Sequence, residues 1–230
     1  MAIFTSGPAV AEISGSVSGT TFARNRGGAY MRQRAIPVTS TTAYALAAKN
    51  RVAVLSNAWA GLTDAQRQAW TIFSQQHPSL NRLGRSITIP PLAYYIRINS
   101  RLLAASEAAI DDPPADGPPD PLATLTLAAD IGAGDVDLTF TATPLGANDH
   151  LWVQACVVSS PTITYIKNYM KLIVVSAAAQ ASALDIETEL TARFGTLQVG
   201  QEVHVMVSVF NDLTGLLSGP LHSQATVVST

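Results

Sequence analysis

Polar and apolar positions alternate in stretches on either side of "RGG", Arg26 to Gly28. The segments "VSGTTFARN" and "AYMRQRA" therefore predict a β-hairpin, because glycine supplies the positive φ that a tight connection needs. In the second arm Tyr30, Arg32 and Arg34 share one face, and Ala29, Met31 and Gln33 the other. The period then changes. In "TSTTAYALAAKNRVAVLSNAWAGL" the residues Ala48, Val52, Leu55, Trp59 and Leu62 recur at spacings of four and three, which predicts a helix with one narrow apolar stripe ended by Gly61. Thr63 and Gln66 have capping-box spacing at the head of a second helix, "TDAQRQAWTIFSQQ", anchored by Trp70 and Phe73 and stopped by Pro78. "SLNRLGR" reads as a loop and "SITI" as a short strand. Pro90 and Pro91 open a third helix with Leu92, Tyr95, Ile96, Asn99, Leu102 and Leu103 on one face. Three helices with matching stripes can bury one another.

"DDPPADGPPDP", Asp111 to Pro121, places five prolines in eleven residues, so it predicts an extended, semi-rigid spacer. Beyond it the period is two. "ATLTLAAD", "DVDLTFTATP", "HLWVQACVV", "MKLIVVS", "ALDIETEL", "EVHVMVSVF" and "LHSQATVV" form short runs separated by turn signals such as "GAGD", "PLGAND" and "NDLTG". Such spacing predicts a β-sandwich of the immunoglobulin or fibronectin type III class. In "ALDIETELTARF" the residues Leu184, Glu187 and Leu190 fit a helix equally well. The predicted fold class is α+β and multidomain: a hairpin and three helices over 1–110, a spacer over 111–121, and a sandwich over 122–230.

Composition changes this picture in two ways. Of 230 residues 47% are apolar and 13% charged, whereas a monomer's surface normally carries about a quarter to a third charged residues. Much of this surface is therefore expected to lie against partners. The net charge of -2 also hides an asymmetry. Met1 to Ser106 holds 11 Lys and Arg against two acids, or +9, and Glu107 to Thr230 holds 3 against 14, or -11. Halves of opposite sign imply different neighbours for each, or head-to-tail contact between copies. "MAIFTSGPAV" has neither the basic start nor the apolar run of a signal peptide, and no run is long enough to span a membrane. The expectation is a soluble protein made in the cytoplasm.

Candidate chemistry is sparse. Cys156 is the one cysteine, which excludes an intrachain disulfide and reads as a small core residue. His77, His150, His204 and His222 fall in separate elements without i, i+4 partners, so they read as structural or surface residues with no metal role. Asp130, Asp135 and Asp137 have the oxygen chemistry of a calcium site but too few ligands, and a solvated loop is the simpler reading. "GAGDVD" lacks the third glycine of a dinucleotide fingerprint, and in "GSVSG" the serine is displaced from the nucleophile-elbow position. Trp59, Trp70, Phe73 and Tyr95 sit at helical spacing and read as core. No catalytic residue and no cofactor is expected.

The basic hairpin has a use as a docking arm. An isolated hairpin is marginal in water, and arginine suits interface ion pairs through its rigid donor fork. The expected interface residues are Phe22, Arg24, Arg26, Tyr30, Met31, Arg32 and Arg34.

The segments "GSVSGTTFARNRGGAYMRQRAIPVTSTTAY", "LSNAWAGLTDAQRQAW" and "LGRSITIPPLAYYIRIN" resemble a family encoded in phage and prophage structural modules. Its members share a G-x-V-x-G-x-x-F-x-R-N-R-x-G start and a W-x-x-L-T-x-A-Q-R-x-x-W helix pair. The resemblance covers about the first hundred residues and departs at "PVTSTTAY", where the family has Asn-Pro after the valine. "TARFGTLQVGQEVHVMVSVFNDLTGLLSGP" looks like the late strands of fibronectin-like domains. The resemblance implies a virion component and not an enzyme: a capsid- or tail-associated subunit that docks by its N-terminal domain, with other virion proteins and copies of itself as partners. Two rival readings are a nucleic-acid-binding protein using the +9 half and a surface adhesin whose sandwich binds glycan.

Overall fold

The computed structural model describes residues 2, 3, 7, 8, 12–25, 28–36, 39, 41–80, 86–132, 134–141, 143, 145–160, 162, 163 and 165–229. The chain forms two compact units, Met1–Ala47 and Ala48–Thr230. The first is an antiparallel ribbon of β1 (Ala2–Ile3), β2 (Gly15–Val17), β3 (Thr20–Asn25) and β4 (Gly28–Gln33), in the spatial order β1-β4-β3-β2. β3 and β4 form the predicted hairpin, with Phe22 opposite Met31. The arm expected to start at Val17 is divided, because Ser18 takes φ 52° and Val17 turns back onto Thr20. Two-residue hairpin connections need a positive φ at this place. Arg26 and Gly27 of the "RGG" turn lie outside the described residues.

Three helices follow: α1 (Ala43–Gly61), which crosses the boundary between the units, α2 (Asp64–Gln76) and α3 (Pro91–Ala104). The capping box at α2 forms as predicted, with Thr63 Oγ1 accepting from the Gln66 N–H and Gln66 Oε1 accepting from the Thr63 N–H. Trp70 and Phe73 are buried, and Trp70 meets Tyr95 edge-on at 5.6 Å. Between α2 and α3, β5 (Ser79–Leu80) pairs with β6 (Ser86–Ile87), the strand expected in "SITI". The stripe of α1 is shorter than predicted. Leu55 and Leu62 are buried and Trp59 is half-buried, but Val52 is exposed, as is Ala48. With 19 residues against 13 in α2, α1 is about 9 Å longer. The buried arc of α3 is also rotated: Tyr94, Tyr95, Ile98, Asn99 and Leu102 are buried and Leu92 is not.

The period-two runs form the expected strands. β7 (Thr124–Asp130), β8 (Asp135–Thr141) and, after β9 (Asp149–Val158) and β10 (Lys171–Val175), the short β11 (Leu184–Asp185) make one sheet in the order β11-β8-β7. "ETELTARF" takes the helical alternative as α4 (Glu187–Phe194), with Asp185 Oδ1 accepting from the Glu187 and Val136 N–H groups. β12 (Glu202–Asn211) and β13 (Leu221–Thr226) complete a second sheet, β10-β9-β12-β13. All pairs are antiparallel. The sheets face each other across one core that includes Val136, Leu138, Phe140, Val153, Val205, Val207 and, from the β11–α4 segment, Ile186 and Leu190. The Val228 N–H donates to Ala129 O at 3.0 Å and the Ile131 N–H to Val228 O at 3.0 Å, which joins the two sheets along one edge.

The other face of β9 and β12 is also covered. Trp152 and Phe210 belong to the same buried cluster as Trp70, Tyr95, Ile98 and Leu102, so the helices pack on the sheet. Burial on both faces explains why "HLWVQACVV" and "EVHVMVSVF" read as nearly continuous apolar runs. Helix gives way to strand between Ala104 and Thr124 without interrupting the packing. The spacer also begins as a strap: Trp70 Nε1 donates to Asp111 O at 2.7 Å, and the Asn99 amide exchanges two hydrogen bonds with the Ile110 backbone.

Candidate functional site

Strand register fixes where the expected interface residues stand. Directly opposed residues share a face in an antiparallel pair, so Phe22, Met31, Arg24 and Ala29 lie on one side of the ribbon and Ala23, Tyr30, Thr21 and Arg32 on the other. The basic residues are thus divided between two faces, each with an aromatic neighbour. Arg24, Arg32 and Arg34 are exposed, whereas Phe22, Tyr30 and Met31 are half-buried. Arg34 lies one residue beyond β4, and its backbone N–H donates to Gly19 O at 2.8 Å. Arg24 Nη1 stands 3.8 Å from Glu12 Oε1, with both side chains mostly in solvent. Such a pair contributes little, so the arginine charge of the ribbon remains available to an outside partner. Arg26 lies outside the described residues.

A second basic feature is on α3. Arg97 and Arg101, one helical turn apart, line a groove of about 240 Å3 with Phe73, Tyr94, Ile98 and Leu217. Arg97 sits 5.8 Å over the Tyr94 ring. Arg101 Nη1 donates to Gly215 O at 3.4 Å. Burial, together with the neighbouring Arg97 charge, lowers the Arg101 pKa to about 10. Apolar walls with two cations suit an anionic group carried on an apolar body. The i, i+4 spacing of Arg97 and Arg101 is legible in the sequence, but the groove they line is made by tertiary packing.

Pairing across strands also gives the histidines neighbours that their spacing in sequence concealed. His204 Nδ1 lies 3.3 Å from His222 Nε2, with the rings stacked at 5.4 Å, and His204 Nε2 lies 3.6 Å from Glu202 Oε2. Burial lowers the His204 pKa; Glu202 opposes the shift and His222 adds to it. His150 meets Asp212 at 3.4 Å. His77 stacks on Phe73 at 4.2 Å, and its carbonyl accepts from the Tyr94 hydroxyl. Asp130 opposes Asp135 near the β7–β8 turn, but Asp137 lies opposite Ala128 on one side and Asp185 on the other. Among the described residues these three aspartates do not converge on a common point. Cys156 is buried, as expected of a core residue, and burial raises its thiol pKa. No described helix is long and apolar enough to cross a membrane.

No protein-family model matches the chain, and neither does any curated protein. A solved structure to which it is similar is a Fn3-like protein from Clostridium thermocellum, 13% identical, with a TM-score of 0.30 over 50% of this chain and 98% of that one.

Proposed function

We propose that the protein is a structural component of a bacteriophage virion, a capsid- or tail-associated subunit that attaches through its N-terminal ribbon. The observation that carries this reading is the burial pattern of Met1–Ala47, in which no described residue is buried. A ribbon without an interior has little to hold it together in water, and a neighbouring subunit would provide the missing surface. The ribbon also has the composition of such a contact: Arg24, Arg32 and Arg34 flank Phe22, Tyr30 and Met31, and aromatics and arginine dominate interface hot spots. The N-terminal motifs that resemble phage structural modules point the same way.

The remainder of the chain is read as a carried fibronectin type III-like sandwich. The sheet orders β11-β8-β7 and β10-β9-β12-β13 support this, because they equal E-B-A and C′-C-F-G when the seven strands are lettered in immunoglobulin-like fashion.

Replacing Arg24, Arg26, Arg32 and Arg34 together with alanine tests the proposal. The variant is expected to be soluble, with nearly the wild-type melting temperature, and to be missing from purified particles by mass spectrometry. Wild-type occupancy of the variant in particles would show that the arginines only solvate the ribbon. Absence of the wild-type protein from particles, despite expression during infection, would overturn the virion reading. A steep loss of DNA affinity with salt in a filter-binding titration would favour a nucleic-acid partner instead.

A further inference from the structure

The ligand atoms of Glu107, His150 and Asp212 lie within 4.8 Å of one another. The three residues come from separate places in the fold: the turn closing α3, the start of β9, and the residue after β12. Glu107 is held there by its backbone, because Ser106 takes φ 68° and the Glu107 N–H donates to Leu102 O at 2.9 Å. Asp212 is placed by its own N–H, which donates to Asn148 O at 3.0 Å.

The hydrogen-bond logic of His150 is unusual. Nδ1 lies 2.8 Å from the Ser176 carbonyl, which can only accept, so Nδ1 carries the proton and Nε2 of the neutral ring is an acceptor. Nε2 nevertheless faces another acceptor, Asp212 Oδ2, at 3.4 Å, with 8% of the His150 side chain and 19% of the Asp212 side chain exposed. The second carboxylate oxygen, Oδ1, is buried and has no hydrogen-bond partner. Two facing acceptors need a cation or a second proton between them. A proton would draw the pair to about 2.7–2.9 Å, the usual length of a charge-assisted N–H···O bond. The observed 3.4 Å matches instead the edge of a tetrahedron with bonds of about 2.0–2.2 Å, which separates neighbouring ligands by roughly 3.3–3.6 Å.

We propose that His150 Nε2, Asp212 and Glu107 bind a divalent transition ion of the zinc type. The Ser176 carbonyl has the role that metal-bound histidines require of their second nitrogen, fixing the tautomer and the ring plane. Ser176 is itself fixed, since its Oγ accepts from the Leu151 N–H at 2.8 Å and its own N–H donates to Leu151 O at 3.0 Å. One imidazole with two carboxylates suits zinc better than magnesium, which keeps most of its water and prefers oxygen. Glu107 is half-buried, and its carboxylate lies within 4.8 Å of the other two ligand atoms. A fourth position is left for water. The ion would tie the end of the helical segment to both central strands of the β10-β9-β12-β13 sheet, which makes it a structural clamp.

The test is a zinc titration of the full chain after chelator treatment, read by calorimetry and by thermal melting. One equivalent of zinc is expected to bind, and the melting temperature should rise by roughly 5–10 °C at a zinc concentration about 100 times Kd. Magnesium should not reproduce this. Glu107→Gln and His150→Gln should each weaken binding at least tenfold, whereas His222→Gln should leave it unchanged. Absence of zinc binding in the wild type overturns the proposal. Wild-type affinity in Glu107→Gln overturns it too, whatever becomes of His150→Gln, and loss of binding in His222→Gln would move the ion to the His204–His222 pair.

Discussion

Gly215→Ala is the sharpest test of the contact between the helices and the sheet. The turn after β12 is tightly specified: Asn211 Oδ1 accepts from the Leu213 and Thr214 N–H groups at 3.1 Å, and the Gly215 N–H donates to Asn211 O at 2.9 Å. This brings Gly215 against α3 with φ 65°. A Cβ at that position would stand 2.7 Å from Ile98 Cγ2, 3.1 Å from Ile98 O and 3.2 Å from Leu102 Cγ. Ile98 and Leu102 are fully buried, so neither can swing aside into solvent. The left-handed conformation costs about 1–2 kcal/mol in an L-residue, and overpacking a filled site about 1–3 kcal/mol. Together these give a loss of about 2–5 kcal/mol, measurable as a lower urea midpoint at unchanged slope. Ile98→Ala alone should cost about 2–5 kcal/mol through its cavity. Because it removes the methyl group that the new Cβ would strike, the double variant should lose about 1–3 kcal/mol less than the sum of the two. A Gly215→Ala protein within about 0.5 kcal/mol of wild type, which is the range of ordinary surface changes, would refute the seating of this turn on α3. Strict additivity with Ile98→Ala would refute the steric part of the argument.

Acid is expected to weaken the fold through His204. Its folded pKa lies below the ordinary value, so the unfolded chain binds that proton more readily. The stability is therefore full above about pH 6.5 and falls as pH drops from there toward the folded pKa, then levels off. Urea midpoints between pH 8 and pH 5 should show this slope in the wild type and a flatter one in His204→Gln; equal slopes would show that another group is responsible. Residues 122–230 expressed alone should give a strand-type circular dichroism spectrum but bind hydrophobic dyes and self-associate. Without the helices the Trp152 and Phe210 face loses burial worth about 1.5–3 kcal/mol per side chain. A monomeric fragment that melts with the full-length protein would contradict the shared cluster.

Local pattern was enough to place the elements, because periodicity, caps and breakers act within a few residues. The Thr63 and Gln66 box, the Pro91 start of α3, the "AYMRQ" strand and the alternation of "DVDLTFT" all follow from backbone geometry that needs no distant partner. The same locality set the errors. The sequence of α1 carries a stripe through Val52, but only Leu55, Trp59 and Leu62 reach the buried cluster, and local pattern does not say where a helix leaves its neighbours. Whether "ETELTARF" is strand or helix could not be decided by period alone, and was decided by Ile186 and Leu190 filling the space between the two sheets. Register had the largest consequences. It puts Arg24 and Arg32 on opposite faces, His204 beside His222, and His150 beside an aspartate sixty-two positions later in the chain. Such meetings arise from closing long loops around a common core, a cost and a gain that belong to the whole chain. Hence local pattern in the amino-acid sequence placed the three long helices and most strands, but not β1, β5 or the helix at "ETELTARF". Only tertiary packing decided which side chains share a site, and it also laid the helices across the outer face of the sheet, because Trp152 and Phe210 needed something apolar to cover them.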